Sequence, residues 1–135
     1  MRLITRSDFD GLACGALLLA AKVVDSWMFA HPKDIQDGLV PVTENDVLAN
    51  VPYAPGCGLW FDHHSSEEER LKIKGKYKGE SRISPSAARI IYEYYGGKEC
   101  FPNFDDLMLA VDKVDSGNLT AEELSLIHIS EPTRH

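Results

Sequence analysis

Two short polar runs carry the residue types that could do metal and phosphate chemistry. Asp8 and Asp10 stand two positions apart in a D-x-D-G string, and Asp62, His63 and His64 are consecutive. Carboxylate oxygens are hard ligands that can approach a divalent cation. Each run alone has a structural alternative, since Asp and Gly favour ordinary turns and a histidine pair is often structural. Both runs follow short apolar segments, and this shared placement favours one metal-assisted site.

The two histidines are expected to do different work. Neighbouring side chains on an extended backbone point to opposite faces, so His63 and His64 cannot be assumed to bind one ion together. One should be a ligand and the other should face the substrate. Asp62 is placed to accept the second N–H of an imidazole and so to orient it.

A third acidic run stands later in the chain, where Asp112 and Asp115 precede Ser116 and Gly117. The alternative reading is a polar helix end with a glycine stop.

The first half of the chain predicts strands that alternate with helices. Short apolar runs bounded by turn residues predict strands at Arg2–Thr5, Ser26–His31, Val47–Val51 and Gly58–Phe61. The segment from Asp8 to Gly11 predicts a turn that begins a helix over Leu12 to about Val24. That helix is apolar nearly all round, so we expect it to be buried, between the sheet and a further domain. Residues 32–38 predict a turn or one helical turn.

The second half predicts one exposed segment and two helices. Residues 67–82 are charged and dotted with glycine, which indicates an exposed loop or a weak edge strand. Ser84 and Pro85 supply an N-cap and a first-turn proline for a helix through about Tyr95, and residues 105–114 predict a last helix. The whole pattern predicts an α/β fold with a mostly parallel sheet and helices on both faces, in which ligands gather at the carboxyl ends of the strands.

Composition limits the class of protein. The 135 residues are 44% hydrophobic and carry a formal net charge of −7, which does not fit an electrostatic groove for a long nucleic-acid duplex. Three cysteines without a C-x-x-C pair indicate neither a disulfide framework nor a zinc ribbon, and a reducing cytoplasm fits best. The apolar stretch from Gly11 to Val24 is shorter than the roughly 20 residues of a membrane span, so no membrane attachment is expected.

The last twelve residues, 124–135, have a different origin in our interpretation. The string LSLIHISEPTRH resembles the in-frame translation of a transposase sequencing adapter. A genuine polar C-terminal peptide is the alternative. We therefore leave His128 and His135 out of the site.

The strings SDFDG, FDHH and DSG together resemble the DHH phosphoesterase superfamily, whose motifs occur in this order. The neighbouring text, including HPKDIQDG and AVDKVDSGNLT, is most similar to the group described as exopolyphosphatase-related. The resemblance covers residues 1 to about 123, which it marks as a partial DHH domain. The C-terminal substrate domain that such proteins carry is not found in the sequence.

The resemblance implies roles for individual residues. Asp8, Asp10, His63 and Asp115 would bind metal, and Mn²⁺ or Mg²⁺ would be the cofactor. His64 would face the scissile phosphate. Metal-assisted hydrolysis is the implied mechanism, in which ions polarise phosphoryl oxygens and lower the pKa of a bound water.

Two positions depart from the family pattern. The strand that should end in a bridging carboxylate ends in Asn50, because Asp46 lies at the opposite end of that strand, roughly 13 Å away by strand rise. Arg6 stands near the position where a histidine or aspartate commonly precedes D-x-D, and it could bind phosphate instead. The hypothesis is therefore one firmly held ion on Asp10, His63 and Asp115, and a second, weaker ion near Asp8 and Asn50.

The function expected from the sequence is hydrolysis of phosphoanhydride or phosphodiester bonds, in polyphosphate-like or short oligonucleotide substrates. The alternative is a degenerate DHH domain that binds nucleotide or phosphate without turnover. The isolated fragment is expected to be inactive. A homodimer is a further expectation for the full-length form.

Overall fold

A five-stranded sheet, parallel throughout, organises the chain in the computed structural model. The structure describes residues 1–64, 66–73 and 75–115, with only the backbone described at positions 67 and 115. Ser116 and Gly117 of the third acidic run, and the segment 124–135, lie outside the described residues.

The elements follow one another in an alternating order. The strands are β1 (Arg2–Thr5), β2 (Ser26–Phe29), β3 (Asp46–Ala49), β4 (Leu59–Asp62) and β5 (Gly79–Ser81). The helices are α1 (Phe9–Ala20), α2 (Pro32–Gln36), α3 (Glu67–Lys72), α4 (Ala87–Tyr94) and α5 (Asp105–Asp115), with a 3-10 helix at Gly97–Glu99. The strand order across the sheet is β2-β1-β3-β4-β5.

Successive side chains of the central strands point to opposite faces of the sheet, so the core consists of two clusters, one on each face. Val47 and Ala49 point into a cluster with residues of α1, α4 and α5, whereas Leu48 points into a second cluster that includes Ile35 of α2 and Trp60. Trp60 Nε1 donates to the carbonyl of Val51 at 2.9 Å, so its one polar group is satisfied inside that cluster. The predicted parallel α/β fold with helices on both faces is confirmed.

Helix α1 differs from its prediction in position. It begins at Phe9, three residues earlier than expected, because the Asp8 side chain accepts a hydrogen bond from the Gly11 amide and caps it. It ends at Ala20. One side is not covered within the described residues, since Leu12 is 54% and Leu19 is 39% exposed, and its burial against a further domain stays a prediction. These side chains border an apolar cleft of about 490 Å³ between α1 and β2.

Two further predictions need correction. Residues 67–72, expected to be a loop or strand, form helix α3, because Ser66 caps it by accepting from the Glu69 amide. The edge strand expected in the same segment does form, as β5. The N-cap of α4 is Ser86 rather than Ser84, with the Ser86 hydroxyl accepting from the Arg89 amide at 2.9 Å.

Within the described ranges, every helix is too short or too polar to cross a lipid bilayer.

Candidate active site

The site lies where the order of the sheet reverses. After β1 the chain forms β2 on one side of it and then β3 on the other, so the loops that leave β1 and β3 diverge and open a crevice. Asp8 follows β1 and Asn50 follows β3. The Asn50 Nδ2 group donates to both carboxylate oxygens of Asp8, at 3.0 and 3.2 Å. The fold therefore brings Asp8 of the D-x-D-G string into contact with Asn50, the residue at the strand end where the family pattern has a bridging carboxylate.

Asp8 is surrounded by hydrogen-bond donors. Its Oδ1 accepts from the Gly11 amide at 2.8 Å, and its Oδ2 lies 3.6 Å from Arg6 Nε. Gly11 is required here, because a Cβ at this position would lie 1.9 Å from the carbonyl oxygen of Arg6. The turn that begins α1 thus fixes Asp8 and brings Arg6 beside it.

Asn50 occupies a backbone conformation that few side chains adopt. Its φ is 61°, in the left-handed region that asparagine tolerates better than most residues. The residue is buried, and within the described part of the chain its Oδ1 has no hydrogen-bond partner. Asp46 lies at the other end of β3, where it pairs with Arg2. Asn50 therefore takes the strand-end position, as the sequence predicts.

Asp10 is held by the beginning of α4. Its Oδ2 accepts from the Ala87 amide and its Oδ1 from the Ala88 amide, both at 2.9 Å. A carboxylate at this place is stabilised by the positive end of the helix dipole. The sequence did not predict that the Ala87 and Ala88 amides bind Asp10, because a backbone N–H group is present at almost every residue and cannot be recognised from side-chain type. The only available signal was the predicted N-terminus of α4.

His63 lies between Asp10 and a backbone carbonyl. Its Nδ1 is 3.1 Å from the Ser84 carbonyl oxygen, and its Nε2 is 3.4 Å from Asp10 Oδ2. A carbonyl can only accept, so Nδ1 carries the hydrogen, and in the neutral ring Nε2 then presents its lone pair to the carboxylate. Two acceptors face each other at this distance only when a proton or another cation is shared between them.

His64 has a different environment, although its ring centroid is 3.9 Å from that of His63. Its Nδ1 is 3.2 Å from Asp62 Oδ1, and its side chain is 51% exposed against 10% for His63. The strand β4 ends at Asp62, so strict alternation no longer applies to the two histidines. Both rings lie together at the carboxyl edge, with one inside the cluster and one facing solvent.

The third acidic run is only partly described. Asp112 is in an ion pair with Arg89, with 2.6 Å between Oδ2 and Nη2. Asp115 is the last residue of α5, and its side chain is outside the described atoms. Among the side chains that are described, no three from His, Cys, Asp and Glu form a group that could hold a metal ion.

The donor set nevertheless fits a divalent cation. Asp10 and His63 supply oxygen and nitrogen with their lone pairs directed at each other, and the Nδ1–H bond to a carbonyl is the usual support of a metal-binding histidine. The buried Oδ1 of Asn50 is a further oxygen without a donor in the described structure. Carboxylate and carbonyl oxygens suit Mg²⁺ and Mn²⁺.

Among the ionisable groups with shifted pKa values are Asp46 and Cys57, both away from the cluster. Burial acts to raise the pKa of Asp46, but hydrogen bonds from Arg2 and Thr43 outweigh it and hold that pKa below its ordinary value. Burial raises the pKa of the Cys57 thiol to about 11, so this thiol stays protonated. Neither group belongs to the site.

The parallel α/β fold, with polar side chains at the carboxyl ends of its strands, is similar to that of a phosphodiesterase of known structure. A solved structure, the pGpG-specific phosphodiesterase PggH from Vibrio cholerae, is 44% identical in sequence and superposes with a TM-score of 0.77. The match covers 90% of this chain and 39% of that one. PggH is a DHH-family enzyme, and this similarity supports placing the chain in the DHH phosphoesterase superfamily. No family model matches the chain, and no curated protein matches it significantly.

Proposed function

We propose that the protein containing this chain hydrolyses a phosphodiester bond in short oligonucleotides, with Mn²⁺ or Mg²⁺ as its cofactor. The observation that carries the proposal is the pair of lone-pair donors, His63 Nε2 and Asp10 Oδ2, that face each other across 3.4 Å. Similarity to a phosphodiesterase whose substrate is a dinucleotide favours this substrate class over polyphosphate. The chain spans 39% of that neighbour's length.

The residues of this chain would divide the work between them. Asp10 and His63 would hold the ion, with Asp115 as a third ligand, and Asp8 and Asn50 would form a weaker second position. A bound ion would polarise a phosphoryl oxygen and lower the pKa of a water molecule toward neutrality. This role for the cation also explains how an acidic chain, with a net charge of −7, can take an anionic substrate.

His64 is the candidate for contact with the scissile phosphate. Asp62 is buried and fixes the ring through Nδ1, which leaves Nε2 for the substrate. With Nδ1–H donated to Asp62, Nε2 of the neutral ring has a lone pair, so it could take a proton from the attacking water and pass it to the oxygen that leaves when the P–O bond breaks. Its 51% exposure allows that contact, which the inner position of His63 does not.

A second candidate function is binding of nucleotide without turnover. One observation favours it: Asp8 already accepts hydrogen bonds from Asn50 and Gly11, and Arg6 Nε lies 3.6 Å from its Oδ2. A carboxylate satisfied in this way needs no metal ion. A protein of this kind would bind a phosphate ligand through Arg6 and would lack hydrolysis.

Hydrolysis assays with the protein at the full length of its gene separate these candidates. Chelator-treated protein is mixed with a 5′-phosphorylated dinucleotide, and mononucleotide release is followed with and without added Mn²⁺. Inorganic polyphosphate and long duplex DNA serve as comparison substrates. We expect Mn²⁺-dependent release from the dinucleotide, lost in Asp10→Ala and His63→Ala but kept in Asp106→Ala, an exposed carboxylate of α5. Activity that survives the first two substitutions would exclude the metal mechanism.

A further inference from the structure

A smaller pocket adjoins the Asp8 side of the cluster. Its volume is about 290 Å³, and it lies at the carboxyl ends of β1 and β2. The lining residues are Arg6, Ser7, Asp8, Phe29, Ala30, His31 and Pro32. We propose that this pocket binds one nucleotide of the substrate, with its base on the Phe29 ring and its phosphate at Arg6 and His31. This inference rests on the proposed function and adds to it the residues that select a nucleotide.

Two side chains in the pocket can bind a phosphate. Arg6 approaches Asp8 through Nε, and within the described part of the chain no hydrogen-bond acceptor is bonded to its two Nη atoms. A guanidinium can therefore offer a bidentate contact while it remains beside Asp8. His31 Nδ1 accepts from the Lys33 amide at 3.1 Å, so the ring hydrogen of neutral His31 lies on Nε2, as a donor.

Phe29 makes the pocket suited to a nucleobase. It is the last residue of β2, is paired in register with Thr5 of β1, and is 44% exposed. Its ring also borders the apolar cleft next to α1. An exposed aromatic ring can stack on a base, and Arg6 lines the same pocket, whereas a polyphosphate chain offers no ring to stack on. The combination of Phe29 with Arg6 therefore favours a nucleotide.

The test is binding of guanosine 5′-monophosphate and of inorganic phosphate, measured by calorimetry on the chain without added metal. We expect Phe29→Ala to weaken nucleotide binding by roughly 10-fold, within the range that stacking supports, and to leave phosphate binding unchanged. Arg6→Ala should weaken both. Trp27→Ala, on the same strand but outside the pocket, and Lys33→Ala should change neither.

Each outcome either supports or overturns the proposal. Wild-type chain that binds neither probe overturns it, and so does Trp27→Ala that loses as much affinity as Phe29→Ala. Phe29→Leu is the second variant if Phe29→Ala does not fold, because leucine keeps apolar volume but cannot stack. This assay involves neither metal nor turnover. If the pocket binds nucleotide but the protein does not hydrolyse the dinucleotide, the proposed function is refuted and the nucleotide pocket is not.

Discussion

At the amino ends of the strands, Asp46 is bonded to Arg2 through both oxygens, at 2.8 and 3.1 Å, and to the Thr43 amide at 2.8 Å. At the carboxyl ends, Asp10 instead faces His63 Nε2, a lone-pair donor, at 3.4 Å. Both carboxylates are buried. The first has its charge matched by the Arg2 guanidinium, whereas the second accepts from the Ala87 and Ala88 amides and faces an imidazole, that of His63, in place of a guanidinium. Pairing with a fixed cation marks a structural carboxylate, and a carboxylate that faces a histidine ring nitrogen marks a candidate ligand site.

The largest effect should come from removing His63. We expect His63→Ala to lower Mn²⁺ affinity by more than roughly 100-fold, since loss of even an outer-shell partner commonly costs 10- to 100-fold. Isothermal titration of chelator-treated protein measures this. Arg2→Ala is the matched comparison from the other edge, and its affinity should stay at the wild-type value.

An equal loss of Mn²⁺ affinity in the two variants would contradict the distinction between the edges. Thermal unfolding of both proteins without metal shows whether a loss reflects the fold instead of the ligand set.

Asp46→Asn should have the next largest effect, on stability. Asparagine cannot keep the charge-assisted bonds from Arg2 and Thr43, so the free energy of unfolding should fall by about 1–3 kcal/mol. Mn²⁺ affinity should not change. Urea unfolding at neutral pH measures the first quantity and calorimetry the second.

Asp46→Asn should also change how the free energy of unfolding depends on pH. The pKa of Asp46 is lower in the folded chain than its ordinary value of 3.8, so its stabilisation is complete above that pH. It is lost as the pH falls below 3.8 through the folded value. Asp46→Asn should therefore flatten the acid limb of the stability curve. An acid limb as steep as that of the wild type would show that other carboxylates cause the loss.

The comparison of the two edges also shows what sequence reasoning could reach. Strand positions, the parallel sheet and the place of Asn50 followed from apolar runs and turn residues, because burial on both faces of a strand leaves a clear pattern. The bonds from Ala87 and Ala88 to Asp10 could not be found in this way. They join residues 77 and 78 positions apart, and they use backbone groups that every residue possesses.

The histidine pair shows a second limit. The expectation that His63 and His64 point to opposite faces assumed that the strand continues, but β4 ends at Asp62. Beyond a strand end, side-chain direction depends on tertiary contacts, here the Ser84 carbonyl and the Asp62 carboxylate. Sequence periodicity carries no information on such contacts.

Asn50→Asp should have the smallest effect on the metal-free protein and tests the weaker half of the site. The new carboxylate loses the Nδ2 bonds to Asp8 and places like charges at about the 3.0 Å now spanned by that hydrogen bond. The melting temperature without metal should therefore fall by a few degrees. Added Mn²⁺ should restore it and give a larger rise than in the wild type, because an ion that binds only the folded state stabilises it.

The matched control is Asn45→Asp, an exposed position before β3 that makes the same chemical change. Titration of Asn50→Asp should show a second Mn²⁺ ion that the wild type binds weakly. Two equally tight ions in the wild-type protein would contradict this, because the amide of Asn50 would then serve as well as a carboxylate. If the wild-type chain binds one Mn²⁺ ion and Asn50→Asp binds two, the weaker ion lies beside Asp8.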